Sequence, residues 1–493
     1  MQDHLAALQV VVPLLASSLC ALIPHRGTVH LLSVLVSLST FGIALLLALQ
    51  VFESGTISYA LGGWAAPVGI EYRVDALTSL VLLLVSGIGA VVMLSSRESL
   101  EVELPYDQYR LFHVMYLLSL AGLLGITITG DLFNVFVFLE ISALSGYVLI
   151  SLGRDRRALV AAYQYLIMGT IGATFILIGV GLMYMMTGTL NMADVAVKLV
   201  PVEHTRTVLA AFGFLTIGIG LKMALFPFHL WLPNAYTYAP SVVTSFLAGT
   251  ATKVAVYVLL RFFLTVYGVD FAFNDMPLSS VLMPLALVGM FSASLVAIFQ
   301  QDVKRLLAYS SVAQIGYMVL GISFASLPGL TGGIVHMANH AIMKCLLFSA
   351  MACVMVRVGG THINDMRGLG RQMPLTMAAF VLGGLSLIGV PGTVGFISKW
   401  YLVEGALSAG LWPVAALILA SSLLAVMYVW RVVEVAYFEA PPAGRDQVAE
   451  APRSLLLGLA ILGSATLYFG VDIQLTAGLA ERAAAALLAG GAP

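Results

Sequence analysis

Charge is scarce in this sequence: only 10% of the 493 residues are Asp, Glu, Lys or Arg, where a soluble domain carries about 25%. That shortage excludes a chain covered all round by a solvated surface. A net charge of −1, with no basic stripe, excludes the electrostatic footprint of nucleic-acid binding. Cysteine is nearly absent: Cys20, Cys345 and Cys353 all lie in apolar runs. Cys345 and Cys353 fall on one expected helix, roughly 12 Å apart, which is too far to bridge. There is no disulfide framework and no Cys-x-x-Cys metal signature. Haem, flavin and iron–sulfur motifs are also missing, so no cofactor is expected. The chain opens on Asp3 and His4 rather than a basic leader, and Leu19 precedes Cys20. Neither a cleaved signal peptide nor a lipoprotein site is expected.

What the sequence has is hydrocarbon: 60% apolar residues and a mean hydropathy of +1.00. The apolar residues come in runs of about 20, the length a helix needs to cross a bilayer. The expected fold is an all-α integral membrane protein of about fourteen spans, at 5–23, 29–52, 74–96, 111–129, 132–152, 158–186, 207–226, 241–268, 279–300, 304–325, 329–357, 374–407, 411–438 and 454–471. Residues 56–73 read as a short outward hairpin, 440–452 as a Pro-rich cytoplasmic link, and 476–490 as a helix too short to span.

Loops after odd-numbered spans hold fourteen Lys and Arg, among them Arg97, Arg110, Arg154, Arg156, Arg157, Lys304 and Arg305. Loops after even-numbered spans hold four: Arg73, Lys198, Arg206 and Arg261. Cytoplasmic loops carry the excess, so odd loops are expected inside and both termini outside. Of six lysines, four (Lys222, Lys253, Lys344 and Lys399) fall within apolar spans, while none of the seventeen arginines is expected deep in one. A buried lysine gives up its proton readily and an arginine does not, so this choice suits a device that must load and unload protons.

A weak internal symmetry relates Gly146-Tyr147-Val148-Leu149 to Gly316-Tyr317-Met318-Val319, 170 residues on. Each is followed by a long helix and then by an interrupted one. The first interruption is Lys222 to Pro233, with Pro227 and His229; the second is Gly389 to Lys399, with Pro391. Matched breaks in two halves of opposite topology point to an ion path, because broken backbone at membrane depth survives only inside protein or beside a wet cavity. The expected division is a three-helix segment 1–110, a first repeat 111–268, a second repeat 279–438, and a link with final helix and tail 439–493. Helices 7 and 12 are the broken ones.

Glu140, in Phe138-Leu139-Glu140-Ile141-Ser142, is the one carboxylate expected deep in a span. It needs a partner, and Lys222 is the natural one. A static ion pair is the plainer alternative, although buried pairs rarely stabilise more than apolar replacements do. Lys253 is too far from either boundary to snorkel. His336, His340 and Lys344 recur at i, i+4 and i+8, stacking along one helical face over roughly 12 Å. They read as a proton relay. Hydrogen-bonded structural histidines are the alternative, and a metal would want more ligands. Lys399 mirrors Lys222 in the second half. His229, Pro227 and Pro391 mark candidate gates. Asp131 reads as the N-cap of the fifth helix.

These residues, in this order, resemble the antiporter-like subunits shared by Mrp-type Na⁺/H⁺ antiporters and respiratory complex I. The resemblance covers about residues 70–440. It rests on Glu140 in Phe-Leu-Glu, Lys222 before Phe226-Pro-Phe-His-Leu-Trp-Leu-Pro233, Lys253, Gln301-Asp-Val-Lys-Arg-Leu-Leu-Ala-Tyr-Ser-Ser311, His336 and His340, and Lys399. It implies two inverted five-helix repeats and a mid-membrane axis. On that axis Glu140 and Lys222 would be the glutamate–lysine pair, Lys253 the central lysine, His336 and His340 the relay, and Lys399 the terminal lysine. The run Leu61 to Asp75 resembles the D-type member of Mrp, whereas Lys399 stands where the M-type member of complex I has a glutamate. The resemblance implies a proton-conducting subunit of a hetero-oligomeric antiporter in a bacterial-type cell membrane, exchanging H⁺ and Na⁺. A proton-pumping subunit of a redox complex is the alternative, and a non-conducting scaffold would gain nothing from four intramembrane lysines. No cluster of acidic or carbonyl ligands marks a Na⁺ site.

Overall fold

The computed structural model describes residues 4–442, 445 and 447–490. Asp3 and residues 443, 444 and 446 of the expected link lie outside them. In hydrocarbon every backbone N–H and C=O must find a partner within the protein, which leaves helices as the answer to long apolar runs. Helices α1 (Leu5–Leu22) and α2 (Arg26–Ser54) lead to a hairpin of β1 (Ile57–Ala60) and β2 (Glu71–Val74), paired antiparallel with Ile57 opposite Val74. Then come α3 (Ala76–Leu94), the short α4 (Arg97–Glu103), α5 (Tyr109–Ile128), α6 (Leu132–Ser151), α7 (Arg157–Thr187) and α8 (Met192–Leu199). Next are α9 (Arg206–Lys222), α10 (Trp231–Tyr238), α11 (Ser241–Gly249) and α12 (Ala251–Leu260). The second half holds α13 (Leu278–Ile298), α14 (Val303–Ser323), α15 (Leu327–Val358), α16 (Leu369–Gln372), α17 (Pro374–Ile388), α18 (Val394–Ser408) and α19 (Trp412–Phe438). The chain closes with α20 (Arg453–Val471) and α21 (Gln474–Leu488).

The protein is an all-α, multi-pass integral membrane protein. Among the described residues twelve helices are long and apolar enough to cross a membrane, or up to thirteen if a helix pair bent by 116° before α17 counts as one span. The expected fourteen is therefore not reached. The shortfall has a physical cause: α9 has 17 residues and α17 and α18 have 15 each, because the expected breaks cut those spans short. Ala224 (φ 59°) turns the chain after α9, and Gly389 and Gly392 (φ 94° and 85°) turn it after α17. A third interruption adds to the two expected. At Thr250 (φ −122°, ψ −61°) the eighth expected span divides into α11 and α12, three residues before Lys253.

Two basic residues sit elsewhere than expected. Arg261 is buried within the span Ser241–Val266, where Asp75 answers it at 2.5 Å. Lys304 is 2% exposed in the first turn of α14, not a loop residue. Removing both leaves the loop asymmetry in place. Asp131 caps α6 by accepting from Asn134 N at 2.7 Å, and Asp302 caps α14 by accepting from Arg305 N at 2.9 Å.

Burial separates centre from rim. The spans Ser241–Val266 and Val303–Ser323 are 94% buried in their apolar windows, whereas α7, α13 and α19 reach 39%. The rim turns Leu, Ile and Val outward, as a lipid-facing surface requires. The centre carries the titratable side chains.

Candidate functional site: a buried file of lysines and histidines

Lys222 ends α9. Its ammonium lies 3.5 Å from a Glu140 carboxylate oxygen on α6; the lysine side chain is 5% exposed and the glutamate 25%. The Trp231 indole N–H holds the neighbouring Leu221 carbonyl at 3.0 Å, tying α10 back onto the end of α9. A cavity of about 40 Å³ lies beside Lys222, lined by Ser119, Ser142 and Tyr165 among others. That is room enough for water.

Lys253, Lys344 and Lys399 have no carboxylate within ion-pair distance among the described residues. Lys253 donates to the Ala248 carbonyl at 2.5 Å and to Thr252 Oγ1 at 3.3 Å. Lys399 donates to the carbonyls of Leu387 (3.0 Å) and Ile388 (2.8 Å) and to Ser422 Oγ (2.8 Å). Both ammonium groups thus sit on carbonyls at helix interruptions, where the backbone lacks its usual intrahelical donors and the helix end is negative. Lys344 donates to the Leu307 carbonyl at 2.8 Å and to the Ser310 hydroxyl.

His336 is fully buried, with Nδ1 2.8 Å from Ser398 Oγ and Nε2 2.8 Å from Gln314 Oε1. His340 stacks on it at 5.9 Å between ring centroids, and neither of its ring nitrogens has a protein partner among the described residues. Tyr317 joins this group to the next: its ring lies 5.5 Å from His336 and 5.0 Å from the Lys399 ammonium. The geometry therefore gathers Lys222 with Glu140, His336 with His340, and His336 with Lys399 through Ser398 and Tyr317.

Of the suggested gates, His229 is buried and stacks on Phe226 at 5.4 Å, facing Tyr309 at 6.5 Å. Pro227 and Pro391 are exposed in the two turns. Sequence reasoning missed Ser310, Gln314, Tyr317, Ser398 and Ser422. A signal existed for three of them: Ser310, Gln314 and Tyr317 recur at i, i+4 and i+7 on the buried α14, one face of a helix. Among the described residues the one group of three His and carboxylate side chains close enough to share an ion is Glu203, His204 and Asp275, largely exposed at a turn and at the end of a short π-helical segment.

A multi-pass all-α bundle with buried lysines and histidines seated at broken helices has the architecture of an antiporter-like membrane subunit. Residues 129–425 match the family described as NADH:quinone oxidoreductase/Mrp antiporter, TM. The chain belongs to that family. It is 41% identical to the N-type member of NADH-quinone oxidoreductase from Desulforudis audaxviator, covering 96% of each chain. It is 30% identical to the D-type member of the Na(+)/H(+) antiporter from Alkalihalophilus pseudofirmus, covering 95% of this chain and 94% of that one. Its fold is similar to a chain of the Mrp complex from Dietzia sp. DQ12-45-1b, with a TM-score of 0.89 and 26% identity over 99% and 97% of the two chains.

Proposed function

We propose that this chain conducts protons as one subunit of a hetero-oligomeric membrane antiporter. The path runs along Lys222 with Glu140, Lys253, Lys344, His340, His336 and Lys399, and proton flow is coupled to Na⁺ exchange. The observation that carries the reading is the seating of Lys253 and Lys399. Each is buried at a helix interruption on backbone carbonyls, with no carboxylate among the described residues in ion-pair reach to fix its charge. An ammonium beside a carboxylate holds its proton more firmly than one left among neutral groups. Opening and closing of the Glu140–Lys222 pair would alternate Lys222 between those two states. The similarity to the D-type antiporter protein supports the coupling to Na⁺. The protein is then a secondary transporter in a bacterial-type cell membrane, with the arginine-rich loops inside and both termini outside. Residues 111–268 and 279–438 act as the two inverted halves.

A second reading is favoured by the 41% identity to the N-type oxidoreductase protein: the same proton path, driven by electron transfer in a separate redox module. One experiment separates them. The chain is expressed with its neighbouring subunits in everted vesicles and the pH gradient is followed with a quenched dye. Collapse of the gradient on adding Na⁺ without an electron donor, lost in Glu140→Ala, supports antiport. No response to Na⁺, but a gradient built on oxidation of a donor, replaces it with the redox-driven reading.

A further inference from the structure

Between Lys222 and Lys253 the chain runs as two short rods, α10 and α11, meeting at Ala239-Pro240. Such a joint has an electrostatic problem. The end of α10 presents carbonyls, the start of α11 presents amides, and Pro240 supplies no N–H of its own. Two buried charges from distant parts of the chain answer it. The Lys304 ammonium on α14 donates to the Ala239 carbonyl at 2.7 Å. The Glu103 carboxylate on α4 accepts from Ser241 N at 2.9 Å and from Ser241 Oγ at 3.0 Å, and its other oxygen accepts from Ser99 Oγ at 2.6 Å. Each charge stands at the helix end whose dipole it complements. Glu103 and Asp302 are the acidic side chains whose fields act on Lys304.

The joint is also where the carrier lysines converge mechanically. The start of α10 is pinned to the end of α9 through Trp231 and Leu221, next to Lys222. The end of α11 leads directly into Thr250 and Lys253. Lys304 lies three residues before Leu307, the carbonyl that receives Lys344. We propose that Glu103 and Lys304 are positioning residues that clamp the α10–α11 joint, fixing the spacing of Lys222 and Lys253 on the proton path. Neither touches the file itself. The proposal rests on the proton-path reading above, and its test is arranged so that the two can fail separately.

Lys304→Met, Lys304→Arg, Glu103→Gln and Lys253→Met are made in the full chain with its neighbouring subunits, and dye recovery is measured per assembled complex in vesicles. Lys304→Met and Glu103→Gln are expected to slow proton transfer about fivefold or more, while Lys304→Arg, which can still donate to the Ala239 carbonyl, stays within about twofold of wild type. Lys304→Arg no better than Lys304→Met overturns the clamp. So do wild-type rates in Lys304→Met and Glu103→Gln beside a dead Lys253→Met. A fully active Lys253→Met overturns the proton path instead. Should Lys304→Met not assemble, Glu103→Gln, which keeps an acceptor for Ser241 N–H, decides by the same measure.

Discussion

Lys253 and Ala248 stand on opposite sides of the interruption at Thr250, and the ammonium of one donates to the carbonyl of the other at 2.5 Å. The break and the lysine therefore belong together: among the described residues the lysine is the donor that this carbonyl has. Lys399 does the same for Leu387 and Ile388 at the end of α17. A scaffold could fill this need with any permanent donor. A carrier needs one that can give its proton away.

That difference separates Lys253→Arg from Lys253→Met. Arginine supplies a donor to Ala248 but keeps its proton, so assembly is expected near wild type while proton transport falls about tenfold or more. Methionine abolishes transport and also leaves a buried carbonyl without its donor, at a cost of about 1–3 kcal/mol. Transport by vesicle dye recovery and thermal unfolding of the purified complex give the two readouts. Wild-type transport in Lys253→Arg would make the lysine structural.

The Glu140–Lys222 pair calls for a double-mutant cycle. Glu140→Gln alone leaves the buried Lys222 ammonium unanswered, and Lys222→Met alone leaves the partly buried Glu140 carboxylate without its partner. If the pair only locked α6 to α9, the double mutant would recover both stability and transport. The expectation here is that it recovers stability and not transport, since the alternation of the lysine between two charge states is gone.

Asp75 and Arg261 test the opposite case. Arg261 donates to Asp75 at 2.5 Å, to Thr78 Oγ1 at 2.8 Å and to Tyr257 Oη at 3.0 Å, tying α3 to the far end of the Lys253 span. Nothing in this cluster needs to lose a proton. Arg261→Met is expected to destabilise the protein by about 3–5 kcal/mol, the usual cost of orphaning a buried charge. Asp75→Asn with Arg261→Met should recover much of that loss. A melting temperature unmoved by Arg261→Met contradicts the assignment.

Much of this is legible in the sequence, for reasons that can be stated. Hydrocarbon imposes a length on every span, so the long helices announce themselves, and Pro227, Pro391 and the glycines around them announce two of the three breaks. The break at Thr250 carries no proline and no positive φ, so its traces are a single glycine, Gly249, and the lysine that serves it. Arg261 falls inside the expected span 241–268 yet reads as a loop charge, because an arginine in hydrocarbon needs a partner that its neighbours in sequence do not offer. Its partner Asp75 lies 186 residues away, which no local pattern reveals. Lys304 misleads for the same reason: its acceptor, the Ala239 carbonyl, is backbone and carries no residue signal. Gln314 and Ser398 are hidden differently. They are ordinary polar residues until His336 is seen between them.

His340 offers the sharpest separation of stability from function. It is fully buried and stacked on His336, and its two nitrogens meet no protein donor or acceptor among the described residues. A buried imidazole in that state gives nothing to folding, because desolvating a polar ring is unfavourable unless hydrogen bonds replace those made in water. His336 differs, since both its nitrogens are held. His340→Leu is therefore expected to leave stability unchanged or raise it by up to about 1 kcal/mol, and His336→Leu to lower it by about 1–3 kcal/mol by orphaning Gln314 Oε1, while Ser398 keeps its bond to the Gly395 carbonyl at 3.1 Å. On a relay both substitutions stop proton transport. A protein that keeps a fully buried side chain contributing nothing to its stability keeps it for what that side chain does. Transport at the wild-type rate in His340→Leu would remove the relay from the path and leave His336 as a structural histidine.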